Sequence, residues 1–163
     1  MNERYVRWYT QHLSRDFEML IFGDGHGIPF ILFPTSFGRF FQCKDFHLID
    51  ACAPHVDSGK ITIYCPDGID LDSFYNKRIH PADRIKTHMA YENVLRYDVF
   101  DIARRECSTH RVAVCGASLG AYHALNLAFR HPDNISHAIS LCGAFDISDF
   151  FGGYYDDNIY FNS

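Results

Sequence analysis

Along the chain the apolar residues change period several times, and each change marks an element. Tyr5 to Leu13 and Phe17 to Phe22 read as two strands, joined around Ser14-Arg15-Asp16 as a hairpin. Gly23-Asp24-Gly25-His26-Gly27 is a turn, and Pro29 to Phe33 is then a continuous apolar strand ending at Pro34-Thr35-Ser36-Phe37-Gly38-Arg39. A helix is expected from about Lys44 to Ala53, a buried strand from Lys60 to Cys65 and a polar loop from Pro66 to Asn76. Pro81, at a favoured first-turn position, opens a helical stretch to about Glu106. Arg111 to Cys115 is short, apolar and β-branched, as a central parallel strand is. Ala121 to Arg130 carries Ala, Leu and Phe at helical spacing and stops at His131-Pro132. His137 to Leu141 is another buried strand, and Gly143 to Ser163 is aromatic and acidic without a clear period.

Strands that alternate with helices after an antiparallel start predict an α/β fold. The sheet is mostly parallel, begins with an antiparallel N-terminal hairpin and carries helices on both faces. Composition agrees with one domain over residues 1–163: 47% of residues are hydrophobic and 16% aromatic, enough for a real core. No stretch approaches the roughly 20 apolar residues that span a bilayer, and Met1 to Trp8 lacks the apolar core of a signal peptide. A net charge of -5 with interspersed signs argues against nucleic acid as a partner. The six cysteines form no C-x-x-C pair, so buried free thiols in a reducing cytoplasm are expected, with no metal and no cofactor.

Chemistry enters at Gly116-Ala117-Ser118-Leu119-Gly120, a G-x-S-x-G between a strand and a helix. This is the pattern of a nucleophile elbow. The turn is so tight that its flanking positions must be small. It holds the serine in a strained conformation, exposes the hydroxyl and aims the next N–H, that of Leu119, at a developing oxyanion.

Together with Phe33-Pro34-Thr35-Ser36 and Gly153-Tyr154-Tyr155-Asp156-Asp157, the elbow run Gly116 to His123 resembles the Putative esterase family of α/β-hydrolases, the esterase D-like group in its small bacterial form. The resemblance runs from the first hairpin to the last residue. It implies a serine hydrolase acting on small or medium carboxylic esters. Ser118 would be the nucleophile and Leu119 N–H one oxyanion donor, with the second from Thr35 or Ser36. Phe37, Tyr75, Tyr154 and Tyr155 are candidates to line the substrate pocket.

A serine hydroxyl needs a base, and the base needs an acid to orient it. In this fold the order along the chain is Ser, then Asp or Glu, then His. The family's later strands, with their acid and terminal His, have no counterpart in these residues. His123 on the elbow helix points away from Ser118, His131 suits the helix C-terminus, His137 begins a strand and His26 falls at the opposite sheet edge. Three readings follow: a piece truncated from a longer esterase, which the residues favour; an assembly in which a second copy or partner supplies the missing strands; and a catalytically inactive binding or scaffold protein. A metal-dependent hydrolase resting on Asp156-Asp157 is a distant further reading. An open apolar sheet edge predicts a homo-oligomer rather than a monomer.

Overall fold

A computed structural model describes all 163 residues. Its sheet has six strands: β1 (Glu3–Thr10), β2 (Arg15–Phe22), β3 (Ile28–Phe33), β4 (Ile61–Pro66), β5 (Val112–Ala117) and β6 (Ile135–Leu141), in the order β1-β2-β4-β3-β5-β6. β2 runs antiparallel to both neighbours, and β3 to β6 are mutually parallel. This is the mixed, mostly parallel sheet that the alternating pattern predicts. The hairpin turn falls earlier than the sequence suggests: Thr10 pairs with Arg15, and Ser14 closes the turn with φ 51°.

Both faces of the central strands are buried because helices cover both. On one side lie α3 (Pro81–Asn93), α4 (Phe100–Cys107) and α5 (Leu119–Arg130), packed on Ile31, Phe33, Tyr64, Val112 and Val114. The expected helix from Pro81 to Glu106 is continuous in direction, but Val94–Val99 is a wide π turn between α3 and α4. On the other side lie α1 (Gln42–Asp45) and α2 (Leu48–Asp57), packed on Phe22, Leu32, Ile63 and Cys65. They replace the single helix expected from Lys44 to Ala53, because His47 adopts φ 60° and breaks the ladder. Two findings concern segments with little pattern. The expected loop follows β4, and within it Asp67, Ile69, Asp70, Ser73 and Phe74 are buried. The aromatic tail ends in α6 (Asp157–Asn162), whose N-cap is Asp156, accepting the Ile159 N–H at 2.9 Å.

β6 pairs with β5 alone, and its other edge is open. Ile139 and Leu141 are 43% and 51% exposed. Beside them an apolar groove of about 240 Å³ runs between α1–α2 and the sheet, past Phe46, Leu48, Cys52 and Cys115. Burial pushes the Cys115 thiol up to about 11. Cys43 and Cys65 are also buried, whereas Cys142 is exposed, contrary to the expectation for that residue.

Candidate active site

Three segments meet at the C-terminal ends of β3, β4 and β5. Ser118 follows β5 with φ 54° and ψ -122°, a strained backbone for a residue that carries a Cβ. Its N–H donates to the Leu141 carbonyl at 2.9 Å, which ties the turn to the end of β6. The flanking glycines are required by space. A Cβ on Gly116 would run into the Gly120 carbonyl group, and one on Gly120 would lie 2.5 Å from the Pro34 carbonyl oxygen. Ser118 is exposed, and no side chain of the chain hydrogen-bonds to its hydroxyl. Leu119 is the first residue of α5, where N–H groups have no intrahelical acceptor.

The loop after β3 lies beside this turn because Phe33 pairs with Gly116. The structure separates its two candidate donors. Thr35 N–H donates to Gln42 Oε1 at 2.8 Å, and the Thr35 hydroxyl to the same oxygen at 3.2 Å. Ser36 N–H has no acceptor in the protein. Phe37 follows with φ 61°.

The loop after β4 holds that segment from outside. Asp67 accepts the Phe40 N–H and the Arg39 guanidinium. Burial is the larger influence on its carboxyl and raises it above the usual range, with Arg39 pulling the other way. Asp70 Oδ2 accepts the Phe37 N–H at 3.3 Å, and Tyr75 donates its hydroxyl to Ser36 Oγ at 3.2 Å. Asp70 Oδ1 lies 3.4 Å from His123 Nε2 on α5, both side chains almost wholly buried.

Of the expected pocket aromatics, Phe37 and Tyr75 pack in a tilted pair with ring centroids 4.2 Å apart beside Ser36, and Phe150 meets Tyr75 at 5.3 Å. Tyr154 packs on His80 and donates to Asp156. Tyr155 is 58% exposed and does not join this wall. The other histidines considered from the sequence are engaged elsewhere or far off. His131 Nε2 sits 2.6 Å from Glu92, His26 precedes β3 at the opposite sheet edge, and His137 pairs with Ala113 near the start of β6. Sequence reasoning missed Gln42 and the Asp70–His123 pair. Only Gln42, seven residues after Thr35, left a local signal.

Residues 14–160 match the model of the family described as Putative esterase, and the chain belongs to that family. No curated protein matches it. Among solved structures the fold is similar to an S-formylglutathione hydrolase of Staphylococcus aureus, with TM-score 0.62 and 14% identity over 98% of this chain and 66% of that one. It is similar to a fluorophosphonate-binding serine hydrolase of the same organism, with TM-score 0.70 and 14% identity over 96% of this chain and 62% of that one. A ferulic acid esterase of Anaeromyces mucronatus gives TM-score 0.67 and 14% identity over 88% of this chain and 58% of that one. At these identities the likeness shows the fold, that of the α/β-hydrolases. The chain spans less than two thirds of the length of each of these structures.

Proposed function

We propose that this esterase-family chain carries the nucleophile half of a serine carboxylesterase acting on small or medium acyl esters. The observation that supports it most is the strained, exposed Ser118 between two glycines that tolerate no Cβ. Ser118 Oγ attacks the acyl carbon, and the carbonyl oxygen takes up negative charge between the N–H groups of Leu119 and Ser36. The ester's alcohol leaves with a proton, and water then releases the acid from the acyl-enzyme. Ser36 is preferred over Thr35 because the Thr35 amide is already spent on Gln42. Phe37 and Tyr75 form the nearest wall for the acyl or alcohol group, and Tyr154 stands further out.

The acid and base come from another stretch of polypeptide or from a second copy of this chain. His123 and His131 hydrogen-bond to Asp70 and Glu92, and neither imidazole hydrogen-bonds to the Ser118 hydroxyl. The second reading, an inactive scaffold that binds a ligand or partner, is favoured by one observation: the Ser118 hydroxyl has no hydrogen-bonded base.

Hydrolysis of p-nitrophenyl acetate by the chain and by Ser118→Ala decides between them. The esterase reading expects slow turnover, because the nucleophile and oxyanion hole act here without a base, and loss of most of that turnover in Ser118→Ala. Turnover that survives the substitution removes Ser118 as nucleophile, and no turnover favours the scaffold.

A further inference from the structure

We infer that Asp70 is a positioning residue: it ties the loop that carries the Ser36 N–H to the elbow helix and fixes that amide relative to Ser118. The inference rests on Ser118 and Ser36 acting as proposed above.

The loop from Pro34 to Phe40 is held from outside at three places. Asp67 takes the Phe40 N–H and Arg39, Asp70 takes the Phe37 N–H, and Tyr75 holds Ser36 Oγ. Only Asp70 also reaches α5. Its Oδ1 faces His123 Nε2 at 3.4 Å while Oδ2 faces Phe37 N at 3.3 Å, so one carboxylate spans the two elements. His123 lies five residues after Ser118 on the helix that the elbow starts, so its position follows that of the serine. The Asp70 carbonyl also accepts the Tyr75 N–H at 2.9 Å, next to the ring that packs on Phe37.

The backbone needs such a tie. Phe37 has φ 61°, a conformation a side-chain-bearing residue keeps only when its surroundings impose it. Phe37 N belongs to the peptide unit next to that of Ser36 N, so a loop free to relax at Phe37 reorients the Ser36 amide as well. A donor acts on a developing oxyanion only if it is aimed before the charge appears. Asp70 and His123 are both 5% exposed, and a buried carboxylate persists only with such partners.

The test is the rate at which a fluorophosphonate labels Ser118, because the phosphoryl oxygen of the probe occupies the oxyanion position. Rates are normalised to the folded fraction, and amide exchange is followed at Ser36 and Phe37. In Asp70→Ala the maximal labelling rate is expected to fall at least tenfold with the half-saturating probe concentration within about twofold, consistent with partial loss of one oxyanion donor. Exchange at Phe37 is expected to rise at least tenfold while β5 amides keep their protection. Asp70→Asn keeps an acceptor for Phe37 N–H and is expected to stay within about threefold of the parent. His123→Phe, which preserves ring packing and cuts only the tie to α5, is expected to slow labelling by at least threefold and decides the matter if Asp70→Ala does not fold. An unchanged labelling rate in whichever of these two variants folds overturns the inference, as does faster exchange at Phe37 with no loss of labelling. A parent chain that is not labelled at Ser118 overturns the esterase reading itself and the inference with it.

Discussion

Gly120 rests against Pro34 so closely that a single added methyl would lie 2.5 Å from the Pro34 carbonyl oxygen. The obstacle is backbone, not the end of a flexible side chain, so β3's loop and the elbow must separate to admit it. Gly120→Ala is expected to cost about 1–3 kcal/mol, the range for overpacking. It should also slow labelling of Ser118 at least tenfold in the molecules that remain folded. Urea unfolding and labelling kinetics on the same preparation check both.

Acid sensitivity should report on His88. Tyr122 donates its hydroxyl to the Asn162 carbonyl at 2.7 Å and lies 3.2 Å from His88 Nε2, while His88 Nδ1 is buried without a partner. Burial first, then the nearby His123 and Arg130, hold His88 well below the usual imidazole range. The unfolded chain gains this proton as pH falls through about 6.5 and the native state does not, so stability drops from there downward. The slope for one proton is at most about 1.4 kcal/mol per pH unit. Between pH 7.5 and 5.5 the urea midpoint should fall more steeply in the parent than in His88→Phe; equal slopes would contradict this assignment.

One side chain of the last helix ties it to α5. Asn162 Oδ1 accepts from Asn126 at 3.1 Å and from Arg130, and its amide donates to the Asn158 carbonyl at 2.7 Å. Asn162→Ala is expected to destabilise by about 1–3 kcal/mol, the cost of leaving buried donors unpaired. Amide exchange in α6 should rise before that of β5.

The open edge of β6 predicts association. Ile139 and Leu141 present apolar side chains beside an unpaired strand edge, the arrangement that invites another chain. Light scattering at micromolar concentration should show an oligomer, and Ile139→Lys with Leu141→Lys should shift it towards monomer. A stable parent monomer would count against this surface.

What the sequence made legible was local. β3, β4 and β5 are short apolar runs buried on both faces, and the elbow needs only five adjacent residues to declare itself. The apolar spacing led to neither the helix break at His47, where one residue takes φ 60°, nor the wide turn at Val94–Val99. The Asp70–His123 pair joins residues 53 apart, and Asp70 lies in a segment whose polar composition reads as solvated. Burial there is decided by tertiary packing on Phe74 and α5, which no local pattern encodes. In sequence the two donor candidates are equivalent, and in the fold Gln42 occupies the Thr35 amide.

Mass mapping of a fluorophosphonate adduct tests whether Ser118 is the nucleophile. Slow modification of the chain at Ser118, and none in Ser118→Ala, is the expected result. An unmodified chain, or an adduct on any other residue, would contradict it.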